Sequence, residues 1–186
     1  MLYHPSLFIT QLVVGIVLLL AHGAALAAGP SLVAPLKKFP RSKGWGFLLL
    51  TISAAWSLWL MITMDLGEFT SKRPMLIALV PIAYLLTLFF VPEFLAVRAL
   101  GMLGLLVACI VLDAAFLNHD PLRLPLVTLA YVWIVAALFM VGKPYLLRDG
   151  IGWVTEKAGR LKLASIGGIV AGAVLIGIAL ARFRGL

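Results

Sequence analysis

The sequence predicts an all-α fold, a polytopic transmembrane helix bundle of about six spans. Hydrophobic residues make up 63% of the 186 residues and charged residues only 12%, and the mean hydropathy is +1.14. Apolar runs long enough to cross roughly 30 Å of hydrocarbon recur about six times. A soluble domain of this size cannot hide so much apolar surface. Lipid is therefore the expected solvent for most of the chain, and residues 1–186 are predicted to form a single integral membrane domain.

The predicted spans cover residues 7–28, 45–64, 75–91, 92–118, 125–142 and 164–183. The stretch from Met75 to Leu117 is too long for one span and is interrupted at Val91-Pro92-Glu93. Pro92 suits the first turn of a new helix, and Glu93 beside it suits the positive end of the helix dipole. This break predicts a helical hairpin made of the third and fourth spans.

The first span ends in ALAAGP, which has the small-residue pattern of a signal-peptidase site. A signal peptide needs a positively charged leading region, however, and the residues before the apolar run, MLYHPS, contain no lysine or arginine. The basic cluster LKKFPRSKG instead follows the run. We therefore expect the first span to be retained.

Lysine and arginine predict the orientation. With the N-terminus outside, the inner connections hold ten basic residues: Lys37, Lys38, Arg41, Lys43, Arg98, Lys143, Arg148, Lys157, Arg160 and Lys162. The outer ones hold five: Lys72, Arg73, Arg123, Arg182 and Arg184. This split favours both termini outside a bacterial-type plasma (inner) membrane, with Arg98 reaching lipid phosphates. The formal charge of +8 needs no nucleic acid to explain it, since there is no polar domain with a basic face.

Gln11 and His22 lie on one face of the first predicted helix, about three turns apart, together with Gly15 and Ala25. An ionisable group inside a membrane is a functional hypothesis by default, so the pair is a candidate haem or metal ligand or proton relay. The alternative is a packing face in which neutral His22 hydrogen-bonds a neighbouring helix.

Two tryptophans of the second span, Trp56 and Trp59, are candidate pocket aromatics for a quinone, pigment or lipid. Trp56 falls near mid-membrane, away from the interfacial belt in which tryptophan is ordinary. The alternative is that these rings fill a helix groove or face lipid.

Acids and a histidine gather at the predicted outer surface. Asp113 ends the fourth span, and the neighbouring connections contribute Asp65, Glu68, His119 and Asp120, with His4 nearby. Histidine and carboxylate suit several divalent ions, so these residues form a candidate ion or proton site. No HExxH or similar tight spacing is present, and the alternative is that they are ordinary loop residues and helix ends.

The last part of the chain predicts an interfacial helix and a packing helix. Residues 146–161 carry an apolar stripe at three-and-four spacing, typical of a short amphipathic helix on a membrane surface. The sixth span contains Gly168, Gly172 and Gly177 at small-xxx-small spacings, which allow close helix packing. On this basis Gly172→Leu is expected to disturb packing more than Leu175→Ala.

The chain contains no catalytic motif that we can identify, and its single cysteine, Cys109, allows no internal disulfide. The favoured interpretation is an accessory or scaffold subunit that binds membrane lipid, a pigment or another membrane protein, or forms a homo-oligomer. The alternative is a small cation- or proton-coupled transporter or channel using His22 and the outer acids. A membrane enzyme is the least supported class. The sequence assigns no cofactor or metal, and no nucleic-acid partner is expected.

Overall fold

The computed structural model describes Tyr3 and residues 5–184, with side chains as far as Arg182. The described residues form eight α-helices and no β-strand. The helices are α1 Leu7–Ala28, α2 Val33–Lys38, α3 Lys43–Thr63, α4 Arg73–Phe90, α5 Leu95–Ala115, α6 Leu124–Gly142, α7 Tyr145–Glu156 and α8 Ala158–Arg184. Short 3-10 turns lie at Gly29–Leu32, Phe39–Arg41, Gly67–Lys72 and Pro121–Arg123.

Six of the described helices, α1, α3, α4, α5, α6 and α8, are long and apolar enough to cross a membrane. The predicted all-α class and the presence of six helices able to span a membrane are therefore confirmed, and such a set of helices is that of a multi-pass membrane protein. α2 and α7 have 6 and 12 residues, which are too few to cross a bilayer.

Local sequence signals set several helix ends. The hydroxyl of Ser6 accepts the N–H of Ile9 at 3.2 Å at the start of α1, and Ser42 accepts the N–H of Trp45 at 3.4 Å at the start of α3. Serine is a favoured N-cap because its oxygen satisfies a donor that the first turn leaves free. Gly29 ends α1 with a φ of 52° and a ψ of −127°, a positive-φ conformation that glycine adopts at little cost.

The start of α5 differs from the prediction. The helix begins at Leu95, and Phe94 stands before it with a φ of 53°. Pro92 and Glu93 thus lie in the turn after α4, not in the first helical turn. The carbonyl of Phe94 accepts the N–H groups of Val97 and Arg98 at 3.0 and 3.1 Å, so the left-handed residue, and not the proline, opens the helix.

The segment predicted as one helix over 146–161 is divided between α7 and α8. α7 ends at Glu156, and Lys157 is extended, with φ −123° and ψ 128°. Residues 158–161 belong to the first turn of α8, where Leu161 is buried. The apolar stripe of the sequence therefore spans two helices that meet at a bend.

α5 is the central helix of the bundle, and it packs against α3 on one side and α6 on the other. Nine of its residues are buried, most of them small, including Ala96, Ala99, Gly101 and Ala108. α1 packs along α8 as a close pair. A cluster of buried residues from α1, α5, α6 and α8 joins this pair to the rest: Leu7, Val111, Ala115, Leu126, Ala130 and Leu175. α4 packs mainly on α3 and buries none of its residues.

Glycines lie at the closest helix approaches. A Cβ added at Gly172 would lie 2.7 Å from the carbonyl oxygen of Gly15, and one at Gly168 would collide with the ring of His22. Gly46 and Gly101 likewise allow the backbones to approach closely at the α3–α5 and α5–α6 contacts, where a Cβ would lie 2.9 and 2.8 Å from backbone atoms. Gly177 takes no part in the α1 contact, because it is exposed and a Cβ there would meet no atom within 4 Å.

Arginines bind the carbonyl ends of helices. Arg98 donates to the carbonyl of Val141 at the end of α6 at 2.6 Å, so it is engaged inside the protein and not directed at lipid phosphates as the sequence led us to expect. Arg123 donates to Ala115 at the end of α5 at 2.9 Å, and Arg73 donates to Ile62 and Met64 at the end of α3. A guanidinium suits this position because the last carbonyls of a helix lack partners and carry partial negative charge.

Contacts define two ends of the bundle. At the terminal end, Tyr3 meets Asp113, and Asp120 meets Arg182 near the end of α8. At the opposite end, called the α7 end, Arg148 of α7 lies over the ring of Phe94.

Candidate functional site

A groove between α3, α4 and α5 is the site in which the predicted functional residues come closest together. It consists of an apolar slot of about 430 Å³ and a larger chamber of about 830 Å³ at the terminal end. Leu60 and Cys109 line both cavities, so the two adjoin. We call the whole feature the α3–α5 groove.

The slot is walled by three helices and is apolar over most of its length. Representative lining residues are Leu50 and Ala54 of α3, Val80 of α4, and Met102 and Leu106 of α5. It exists because α4 packs mainly against α3 and not against α5. A hydrogen bond of 3.0 Å between the hydroxyls of Tyr84 and Thr51 joins α4 to α3. The slot is thus open to the surrounding solvent, which for these helices is lipid.

The chamber carries aromatic rings and carboxylates. Its lining includes Tyr3, Trp59, Phe116, Asp65 and Asp113. Trp59 and Asp65 come from the end of α3 and the residues after it, and Asp113 and Phe116 from the end of α5 and its cap. The chamber therefore forms where two neighbouring helices end together at the terminal end.

Tyr3 closes one wall of the chamber and is held at three points. Its backbone N–H donates to Oδ2 of Asp113 at 3.2 Å, and its hydroxyl accepts the indole N–H of Trp56 at 2.6 Å. Its ring lies 5.8 Å from that of Trp59, centroid to centroid, at an interplanar angle of 42°. The segment before α1 is thereby attached to both α3 and α5.

The chamber has an excess of negative charge within the part of the chain that the structure describes. There, neither Asp65 nor Asp113 forms an ion pair with a cation. Oδ1 of Asp65 accepts the N–H of Gly67 at 3.0 Å, and Asp113 is half-buried. The nearby guanidinium of Arg73 is engaged by the carbonyls of Ile62 and Met64. Within the described residues, the two carboxylates of the chamber thus have no cation as an ion-pair partner.

The five residues of the predicted ion or proton site do not converge. Among the described residues, no group of three or more histidines, cysteines or acids is placed to hold a metal ion. Asp65 and Asp113 share the chamber, whereas Glu68 is exposed on the Gly67–Lys72 turn and His119 lines a separate cavity beside Arg123. His4 lies outside the described residues.

Asp120 has a structural role at the α5–α6 connection. Its Oδ1 accepts the N–H of Leu122 at 2.8 Å, and its Oδ2 forms an ion pair with Arg182 near the end of α8. The Leu122 N–H first, and Arg182 second, hold the pKa of Asp120 below its usual value against the opposing effect of desolvation. The carboxylate is therefore engaged by this chain's own groups.

Gln11 and His22 share a helix but not a site. Nε2 of Gln11, which is fully buried, donates to the carbonyl of Leu122 at 2.8 Å. Nδ1 of His22 lies 2.9 Å from the carbonyl oxygen of Leu18, so Nδ1 carries a proton, and the ring packs on Gly168 of α8. Both contacts are those of a helix-packing face, the second of the two interpretations of this face.

The two candidate aromatics, Trp56 and Trp59, have different positions relative to the chamber. Trp59 lines the chamber, and Trp56 supports it indirectly through its hydrogen bond to Tyr3.

Sequence reasoning missed Tyr3 and Cys109 as groove residues. A tyrosine ahead of a first span gives no signal in the sequence, and Cys109 is identified only by its position one helical turn from Asp113.

Comparison with known proteins adds no assignment. No protein-family model matches this chain, and no match is found among curated proteins or among solved structures.

Proposed function

We propose that this chain is a non-enzymatic accessory protein of a bacterial-type inner membrane that binds a lipid-like amphiphile with a cationic head in the α3–α5 groove. The observation that carries the proposal is that an apolar slot adjoins a chamber of rings and of two carboxylates that form no ion pair within the described residues. An amphiphile has the same division of chemistry along its length. Its tail fits the slot, and its amine or quaternary ammonium group fits the chamber.

Head-group contacts supply the selectivity. A tail that leaves the bilayer for the slot exchanges one apolar environment for another, so it gains little beyond packing. A cation over an aromatic ring gains about 0.5–2 kcal/mol, and a hydrogen bond to a charged group about 1.5–3 kcal/mol. Tyr3, Trp59 and Phe116 offer the rings, and Asp65 and Asp113 offer the charges.

The accessory role has more support than the transport alternative. Transport through the bundle needs polar groups at successive depths, and His22 was the main candidate. In the described residues His22 binds its own helix and packs on Gly168, as a packing residue does. The exposed faces of α4, which buries none of its residues, leave room for a membrane-protein partner or a second copy of the chain.

The proposal is tested by the lipids that the full chain retains when purified in mild detergent. We expect amine-headed or choline-headed lipids to be enriched relative to the membrane extract. Asp113→Asn should reduce that enrichment about tenfold, the effect of losing roughly 1.4 kcal/mol of charge-assisted binding. The asparagine oxygen still accepts the Tyr3 N–H, so the fold is preserved.

Glu68→Gln is the matched control, since Glu68 is an exposed acid at the same end that lies outside the chamber. Mass spectrometry of the extracted lipids gives the comparison. Identical lipid profiles for wild type, Asp113→Asn and Glu68→Gln contradict the proposal. If the chain transports cations instead, Asp113→Asn changes flux in proteoliposomes.

We also propose that the α7 end faces the cytoplasm and both termini face outside, as the ten-to-five division of basic residues favours. Lys38→Cys in a Cys109→Ala background tests this, because Lys38 is exposed, whereas Pro40, two positions further on, is buried and would label poorly. A membrane-impermeant maleimide should label the new cysteine only after the cells are lysed. Labelling in intact cells would show that the orientation is the opposite one, with the α7 end outside.

A further inference from the structure

A second cavity, at the α7 end, lies between the α1–α3 connection and α7. It has a volume of about 510 Å³, and its lining includes Lys37, Arg41, Arg148 and Trp153. Pro40, fully buried, also lines it. The cations come from two segments more than 100 residues apart in the chain, so the cavity is built by the fold and not by one basic loop.

The lining is strongly positive. Asp149 is the one acid beside Lys37, Arg41 and Arg148, and it pairs with Arg148 at 2.7 Å. That pair is about half exposed, 44% and 54% for the two side chains, so water weakens it. Within the described residues, Lys37 and Arg41 form no ion pair. The cavity therefore presents two uncompensated cations and a third that is shared.

The surrounding contacts hold the segments that carry Lys37 and Arg41, whose side chains are exposed, and they hold Arg148 itself. The Phe39–Arg41 turn packs against α5, and α2 packs against α7. The guanidinium of Arg148 lies 5.6 Å from the centre of the Phe94 ring, at the start of α5. At the rim, Arg160 lies 4.4 Å from the centre of the Trp153 ring and also pairs with Glu156 at 2.7 Å.

We propose that this cavity binds a phosphate-bearing anion, supplied by the head group of an anionic phospholipid in the leaflet at the α7 end. Basic cavities between helices near the membrane surface recognise such head groups, and arginine forms paired hydrogen bonds with phosphate oxygens. Trp153, 60% exposed at the rim, is a residue type favoured at head-group level. The site is separate from the α3–α5 groove and does not depend on it.

The test is a native mass spectrometry titration of the full chain in detergent with phosphatidylglycerol and, separately, with a diacylglycerol glycolipid, whose uncharged sugar head is a ligand neither of this cavity nor of the α3–α5 groove. The triple variant Lys37→Gln, Arg41→Gln, Arg148→Gln should lose the preference for phosphatidylglycerol about tenfold or more. The control triple variant Lys38→Gln, Lys143→Gln, Lys157→Gln removes equal charge from exposed positions outside the cavity and should keep most of the preference. Asp149→Asn should increase it.

Inorganic phosphate as a competitor distinguishes the sources of the anion. Competition at millimolar concentration that the cavity triple variant abolishes shows that phosphate alone is recognised. Selective loss of phosphatidylglycerol without such competition shows that the whole lipid head is needed. The proposal is overturned if the two triple variants lose the preference for phosphatidylglycerol equally. It is also overturned if neither Lys37→Gln alone nor Asp149→Asn changes that preference. In either case the lipid is attracted by the general surface charge.

Discussion

At the scale of single residues, the contact between α1 and α8 depends on the absence of side chains. Gly172 meets the backbone of Gly15 and Leu19, and Gly168 makes room for the His22 ring. Lipid does not drive helices together, so close packing of backbones supplies much of the association. Leu175, the comparison position suggested by the sequence, is itself buried in the core, so truncating it is also costly, by about 2–5 kcal/mol.

A better comparison for Gly172→Leu is Gly167→Leu, because a Cβ at Gly167 meets no atom within 4 Å. Gly172→Leu must push two backbones apart, and overpacking of this kind costs about 1–3 kcal/mol or more. We expect it to lower the melting temperature in detergent by several degrees, measured by tryptophan fluorescence, while Gly167→Leu leaves it within error. Equal effects from both substitutions would show that α1 and α8 do not pack through this face.

At the scale of helices, the ends decide how the elements fit together. Arg73, Arg98 and Arg123 each donate to the last carbonyls of a different helix, α3, α6 and α5. These residues belong to neighbouring elements, so each hydrogen bond joins two helices. In the count of basic residues on each side of the membrane, all three are taken as free charges. Arg73 and Arg123 count against the predicted orientation, but both hydrogen-bond the ends of helices, so they have a structural role at the terminal end.

α4 shows how an element can be predicted correctly while its position cannot. Most of its 18 residues after Arg73 are apolar, and Pro81 lies within it, so the sequence predicts a span. Nothing in its composition indicates that it packs mainly on α3 and leaves a slot beside α5. Close contacts between helices depend on small residues of two helices meeting, as Gly46 meets α5 and Gly101 meets α6, and such pairings are not visible along one chain.

At the scale of the whole molecule, the sequence predicts the spans well because lipid imposes a simple rule. Every backbone polar group at membrane depth must be paired within a helix, so long apolar runs become helices. The candidate site was predicted only in parts. Asp65 and Asp113 were predicted as part of one candidate ion site and Trp59 as part of a separate aromatic pocket, but the contact that completes the chamber joins Tyr3 to Asp113 across 110 positions. Only the packed structure brings them together and moves Glu68, His119 and Asp120 elsewhere.

The most direct test of the α3–α5 groove is photo-crosslinking of the full chain in nanodiscs with an alkylammonium probe carrying a diazirine in its tail. Adducts are expected to be concentrated on the slot, at positions 50–60 of α3 and 102–109 of α5. Asp113→Asn should reduce them to the level given by a matched probe with a neutral sugar head. Adducts spread over all lipid-facing helices in proportion to their exposure, and alike for both heads, would contradict the proposal.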